Sequence, residues 1–364
     1  MALLLTDFGW NNFFAAQLPE GSTGRTGRIA SSNREHFLIW TETGDVEARV
    51  SGRFRESSGR ETSKDTSAES SALGDWPAVG DWVVLREDAP VIERVLERRS
   101  RVSRKRPGKE MREQILAANI DVLFIVTALD HDYNPRRLER YLVLARESGA
   151  RPVILINKSD KAHEFGHDVE SIVREMQLAS PGDPVLVLAA KAGEGLETLP
   201  ALLARGETAA LIGSSGVGKS TIVNALLGTQ RQATNVVRKD DSRGQHTTTA
   251  RELFIMPGGW LLMDLPGLRE IQLWAEPVQV ENSFDDIQQL AAQCRFRDCT
   301  HNTEPGCAVR GANLDPGRLD NFRKMQKEVE YLERKSDPRV ARDARQRWKA
   351  IEKSVKSHPK RDGK

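Results

Sequence analysis

Gly213-Ser214-Ser215-Gly216-Val217-Gly218-Lys219-Ser220 has the spacing G-x-x-x-x-G-K-[ST], a set of residue types suited to holding phosphate. Glycines let consecutive backbone N–H groups turn inward around phosphate oxygens. The octapeptide follows an apolar strand, Ala209–Ile212. It opens a helix in which Ile222, Val223, Leu226 and Leu227 recur and after which Gly228 stops the chain. The helix N-terminus, where Thr221 joins the contacting set, adds a dipole that favours anions. In such a loop Lys219 reaches the β- and γ-phosphates and the Ser220 hydroxyl ligates Mg²⁺. A chance glycine-rich turn is the alternative, and the strand–loop–helix context argues against it.

Asn157-Lys158-Ser159-Asp160 follows the apolar run Val153–Ile156. N-K-x-D is the guanine-specificity pattern. The Asp160 carboxylate accepts from the ring N–H and the exocyclic amino group of guanine, a donor pair that adenine lacks. Lys158 lays its aliphatic stem over the base, and Asn157 ties adjacent loops together. Ala189-Ala190-Lys191, after Val185–Leu188, resembles the S-A-K loop whose backbone N–H meets the guanine oxygen, with Ala189 in place of the usual serine.

Asp264-Leu-Pro-Gly267 ends the run Trp260–Met263 and fits D-x-x-G. Its aspartate reaches Mg²⁺ through water and its Gly267 N–H senses the γ-phosphate. Between it and the phosphate loop lies Gly244-Gln-His-Thr-Thr-Thr249, placed as a switch loop. One of its threonines ligates Mg²⁺, and Thr248 is favoured among three adjacent candidates. The base motifs precede the phosphate loop, the reverse of the ordinary order, so the chain reads as a circularly permuted GTPase binding GTP and GDP. The second switch then leads straight into the C-terminal region, which is expected to feel the nucleotide state.

The chain has three cysteines, Cys294, Cys299 and Cys307, all near His301. Three thiolates and an imidazole in one short knuckle suit a closed, structural Zn²⁺ site. Metal would hold a region with little core of its own. Three buried free thiols or redox sensing are the alternatives.

These motifs need a scaffold of three textures. Residues 25–106 contain short strands, His36–Trp40, Val46–Val50, Asp81–Leu85 and Val91–Val95, punctuated by glycines and polar residues. They predict a small β-barrel, with a disordered Ser/Glu/Gly/Arg/Thr-rich loop at 51–75. Residues 1–24 are expected to lack order. Residues 107–275 alternate strands and helices. Val122–Val126 and the runs above give six strands, mostly parallel with one antiparallel pair, in an α/β sheet. Asn134 caps a helix that has Pro135 first and Gly149 at its end. Residues 276–335 read as a helical zinc-binding domain with the stripe Leu319, Phe322, Met325, Val329 and Leu332, and 336–364 as a basic extension.

A β-barrel, a permuted GTPase and a Cys/His C-terminus together resemble the bacterial ribosome small-subunit-dependent GTPase A family, from about residue 27 to 335. The likeness is most specific in Gly213–Ser220 with Val217 before Gly218, in the His-Thr-Thr-Thr switch and in the metal spacing. It implies an N-terminal OB-fold, small-subunit binding, contact with ribosomal RNA, and GTP hydrolysis late in subunit maturation. Leu268 stands where many GTPases carry a water-orienting Gln, so intrinsic hydrolysis is expected to be slow. His246 is the candidate that positions water, and the resemblance supports it; packing or solvent contact is the alternative role.

Net charge is only +2, with 38% hydrophobic and 29% charged residues. The charge is uneven. Residues 318–364 hold sixteen Lys/Arg against eight Asp/Glu. A second basic run spans Arg94–Arg112, with Arg98, Arg99, Arg101, Arg104, Lys105 and Arg106. Both suit RNA phosphates and equally suit solvated faces. No apolar run is long enough to span a bilayer and no signal peptide is evident, so a cytoplasmic monomer without membrane contact is expected. The rival reading is a GTP-controlled RNA clamp whose hydrolysis is incidental. A P-loop ATPase or kinase is disfavoured by Asp160.

Overall fold

Period-two alternation in β2 (His36–Thr41) buries Phe37, Ile39 and Thr41 on one face, as a half-covered strand requires. It pairs antiparallel with β1 (Arg25–Asn33) and β3 (Gly44–Val50). β3 runs parallel to β5 (Val91–Val95), which pairs with β4 (Trp82–Leu85). β4 returns to β1, with Arg28 opposite Trp82, and closes a five-stranded barrel. The computed structural model describes residues 3–19, 25–33, 35–52, 54, 76–105, 113–228, 251–265, 277–312 and 314–336. Most of the 51–75 loop therefore lies outside the described residues. Phe54 is fully buried and its ring meets Trp76 edge-on at 6.3 Å.

The expectation that residues 1–24 lack order is corrected for 3–19. A 3-10 turn, Leu5–Phe8, leads into α1 (Asn12–Ala15), capped by the Asn11 side chain. Phe8 and Phe14 are buried against Trp82 and Leu96, and Trp10 meets Trp82 edge-on at 4.7 Å. Burial of aromatic surface outweighs weak local propensity. Arg28, itself buried, donates to the carbonyls of Phe8, Gly80 and Asn119. Arg98 likewise turns inward, onto Asp81, so this member of the basic run is unavailable to phosphate.

β6 (Arg101–Lys105) and β7 (Glu113–Ala118) form a two-stranded ribbon. Next come β8 (Val122–Ala128), β9 (Arg151–Asn157), β10 (Val185–Val187), β11 (Thr208–Ile212), β12 (Arg251–Ile255) and β13 (Leu261–Asp264), in spatial order β10-β9-β8-β11-β13-β12. Five are parallel and β12 is antiparallel to β13, matching the six-strand expectation. β8 is buried along its whole length, as a parallel strand covered on both faces must be. Leu123 and Ile125 share a core with Leu138, Leu142 and Ala145 of α2 (Pro135–Ser148), while Val122, Phe124 and Val126 pack with Ile222, Val223 and Leu227 of α4 (Lys219–Leu227). α3 (Val169–Ala179) adds Ile172 and Met176 to the first core. Asn134 caps α2 through Oδ1, and Gly149 ends it with φ 80°.

The chain divides into two units, 1–104 with 115–271, and 105–114 with 272–364. Barrel and α/β sheet fall in one unit, joined where β1 pairs antiparallel with β12, with Ser31 opposite Glu252 and Ser32 opposite Arg251. In the second unit, α5 (Pro277–Ser283), α6 (Asp285–Ala291), α7 (Ala308–Gly311) and α8 (Pro316–Ser336) gather around Val280, Phe284, Ile287, Val309, Phe322, Met325 and Val329, all buried. The last three belong to the predicted stripe. Among the described residues no helix is long and apolar enough to cross a membrane.

Candidate active site and metal centre

Strand order brings the motifs to one edge. After β8 the chain moves outward to β9 and β10, then returns to lay β11 on β8's other side. The reversal between β8 and β11 is where open α/β sheets bind ligands, outside the carboxyl ends of the strands. Asn157 ends β9, Ala189 follows β10, Gly213 follows β11 and Asp264 ends β13. The permutation leaves this edge intact because adjacency in the sheet does not depend on order in the chain.

Asn157 is the joint. It is buried; its Nδ2 donates to the Val217 carbonyl at 2.8 Å, and its Oδ1 accepts from the Ala190 N–H at 3.0 Å. One side chain thus ties the phosphate loop to the Ala189–Lys191 loop. Gly218 has φ 100°, and a Cβ there would lie 2.3 Å from Asn157 Nδ2. Gly213 has φ 151°, with a Cβ 2.3 Å from the Val126 carbonyl. Those two glycines are required by conformation and by space.

Lys219 Nζ donates to the Gly213 and Ser214 carbonyls at 2.7 and 2.6 Å, folding over its own loop. Ser215, Gly216, Ser220 and Thr221 are exposed, while Val217 is buried beneath the loop. Ser159–Lys161 forms a 3-10 turn, fixed by the Ser159 N–H on the Leu188 carbonyl, and leaves Asp160 exposed. Ala189 and Ala190 are buried, and the Ala189 N–H bonds the Glu194 carbonyl at 3.1 Å, so backbone stabilises the loop that lacks the serine hydroxyl.

Two adjoining cavities result. One, of about 470 Å³, is lined by Ser214–Val217 with Asp130, His131, Asp132, Arg137 and Lys158. The other, of about 330 Å³, includes Asn157, Asp160, Ala190, Lys191, Gly218 and Thr221, and also Phe165. Asp130, His131, Asp132 and Arg137 belong to no sequence motif. Their one signal is position, directly after the buried strand Val122–Ala128. Lys158 Nζ sits 2.6 Å from Asp130. Burial works to raise the Asp130 pKa, but hydrogen bonds from Lys158 and the Asp132 N–H, with the Lys158 charge, hold it below the usual carboxylate range. His246, Thr248, Gly267 and Leu268 lie outside the described residues, and Asp264 is placed by backbone alone, opposite Glu252.

Cys294, Cys299, His301 and Cys307 converge, with all four ligand atoms within 4.8 Å of one another. Cys294 Sγ is 3.8 Å from Cys307 Sγ and 3.6 Å from His301 Nδ1, which is 3.5 Å from Cys307 Sγ. A tetrahedron with Zn–S near 2.3 Å has edges of about 3.8 Å, so the donor set fits a zinc-sized ion. Backbone donors face two of the sulfurs. N–H groups of Val309 and Ala308 point at Cys294, and the Arg310 N–H lies 3.5 Å from Cys307 Sγ. His301 has φ 57°. Its turn is held by Glu304, which accepts from the N–H groups of Thr300, Asn302 and Thr303 and from the Thr300 hydroxyl.

A family model described as RsgA GTPase matches residues 95–274. The small ribosomal subunit biogenesis GTPase RsgA of Opitutus terrae is 40% identical over all of both chains. RsgA of Xanthomonas axonopodis is 45% identical over 74% of each. The crystal structure of YjeQ from Thermotoga maritima aligns with a TM-score of 0.57 at 26% identity, covering 84% of this chain and 98% of that one. YloQ, described as a circularly permuted GTPase, shares the fold at a TM-score of 0.56 and 21% identity, over 85% of this chain and 96% of its own. Full-length identity to such relatives, with the permuted sheet and its convergent loops, means that this chain belongs to the RsgA GTPase family and is a GTPase.

Proposed function

We propose that this GTPase acts late in maturation of the small ribosomal subunit, where the subunit stimulates GTP hydrolysis and the protein contacts ribosomal RNA. The observation that carries the reading is full-length similarity to relatives described as small ribosomal subunit biogenesis GTPases. The Asn157 joint between two loops at one sheet edge supports the nucleotide part. In this reading Gly213–Thr221 wraps the phosphates, while Asn157–Asp160 and Ala189–Lys191 take guanine. Ser220 and Thr248 ligate Mg²⁺, Asp264 reaches it through water, and the Gly267 N–H senses the γ-phosphate. The His246 side chain orients the attacking water, because Leu268 has no group that hydrogen-bonds it.

Zn²⁺ at Cys294, Cys299, His301 and Cys307 is structural in this reading, since four protein donors leave no open position for chemistry. The protein works as a monomer in the cytoplasm. GTP turnover measured with and without purified small subunits tests the proposal. Stimulation of at least about tenfold is expected, a floor well below the roughly 10³–10⁵-fold by which partners activate other GTPases. Equal turnover in both conditions would overturn it in favour of the GTP-controlled RNA clamp.

A further inference from the structure

The loop leaving β8 lines both cavities, yet it brings two carboxylates to a cleft read as taking a polyanion. An unpaired acid there would repel phosphate, but both are paired. Asp130, its side chain 9% exposed, accepts from Lys158 Nζ at 2.6 Å and from the Asp132 N–H at 3.0 Å. Asp132 accepts from Ser214 Oγ at 3.2 Å and pairs with Arg137 at 2.8 Å. A segment of three residues therefore grips both the lysine of the base loop and the first serine of the phosphate loop. From behind, the His167 ring meets the Asp130 carbonyl at 3.2 Å, and Tyr133 packs edge-on against His167.

Lys158 is one of three non-glycine residues among those described with positive φ, at 61°. This is an uncommon conformation for a side-chain-bearing residue. Its long stem would otherwise be ordered only when a base arrived, at an entropic cost. Held by a largely buried carboxylate, the stem is set beforehand, and preorganisation of this kind raises affinity.

We propose that Asp130 and Asp132 are positioning residues of the nucleotide site. Asp130 fixes Lys158 as a wall for the base, and Asp132 fixes Ser214 at the mouth of the phosphate loop, so that base and phosphate recognition share one brace. This rests on the reading of the cleft as the guanine-nucleotide site.

The test is calorimetric titration of the full chain with GDP. Asp130→Ala is expected to weaken GDP about tenfold, the scale of one lost charge-assisted hydrogen bond. Asp130→Asn, which keeps an acceptor oxygen, recovers part of the loss. Lys158→Met keeps the stem without the ammonium, and adding Asp130→Ala to it costs no further affinity. The same cycle applies to Asp132→Ala with Ser214→Ala. Asp160→Ala serves as the reference. If it loses GDP while Asp130→Ala binds like the unchanged protein, or if the Asp130 and Lys158 losses multiply as independent effects, the brace falls and the guanine reading stands. If Asp160→Ala binds GDP normally, the reading of the cleft falls and the brace with it. Should Asp130→Ala not fold, the cycle run with Asp130→Asn decides.

Discussion

Arg98 grips Asp81 with both arms of its guanidinium, Nε on Oδ1 and Nη2 on Oδ2, each at 2.7 Å. The two side chains are only 8% and 0% exposed. Asp81 also accepts from the Ala78 N–H, and Arg98 donates to the Trp76 carbonyl, so the charges are hydrogen-bonded as well as paired. Removing one partner leaves the other charge buried and uncompensated. Arg98→Ala is therefore expected to lower the unfolding free energy by about 3–5 kcal/mol, read as a shift of the urea midpoint at unchanged slope. A shift below about 1 kcal/mol would mean that water reaches Asp81 freely.

Asn157→Ala removes two neutral hydrogen bonds between loops that approach the same ligand. At about 1 kcal/mol each, GDP affinity is expected to fall by roughly thirtyfold. Gly218→Ala presses a methyl group onto the same amide, and its loss should be no smaller. Equilibrium titration of both variants checks the pair, and a Gly218→Ala protein binding GDP normally would contradict the close approach.

His246→Ala is expected to lower subunit-stimulated turnover while leaving GTP affinity within about twofold, since an interaction made only in the transition state affects rate and not binding. Single-turnover hydrolysis alongside nucleotide titration separates the two. Unchanged stimulated turnover would remove His246 from the mechanism.

Metal analysis of folded protein is expected to return one zinc per chain, and a chelator should unfold the 277–336 helices while the barrel stays folded. Cys307→Ser gives the same loss, since Cys307 is the buried ligand and also the N-cap of α7. Far-ultraviolet circular dichroism with and without chelator reads it. Full helicity without metal would leave these residues as free thiols.

Glu304 has its pKa pulled down to about 2, chiefly by the Thr300 hydroxyl and by backbone N–H donors. A carboxylate depressed on folding stabilises the fold above its ordinary range and loses that effect as pH falls toward the folded value. Glu304→Gln should therefore melt below the unchanged protein at pH 7, by a gap that holds down to about pH 5 and narrows below it. A gap independent of pH down to 3 would assign the difference to shape alone.

Much of the site was legible because its motifs are contiguous. Gly213–Ser220 and Asn157–Asp160 each carry their chemistry within one loop, and the strands before them are apolar enough to be found. Asp130, Asp132 and Arg137 were not legible. Their meeting with Ser214 and Lys158 is made by β8 lying between β11 and β9, which no local spacing encodes. The N-terminal segment was missed for a related reason. Phe8, Trp10 and Phe14 show no helical or strand period, and only Trp82, far along the chain, gives them something to cover. Arg98 looked like its basic neighbours because composition does not reveal which arginine turns inward.

The insertion of β11 between β8 and β13 also has a consequence in time. As the chain leaves the ribosome, β8 finds β9 soon after, but its other edge stays open until β11 follows, roughly eighty residues later. At about 5–20 residues per second, a seven-residue strand buried throughout in the finished protein waits about 4–16 s with one side unpaired. Slow translation between residues 129 and 208 would lengthen that interval. An unpaired strand edge invites misassembly, and this one is open before the protein has a phosphate loop at all.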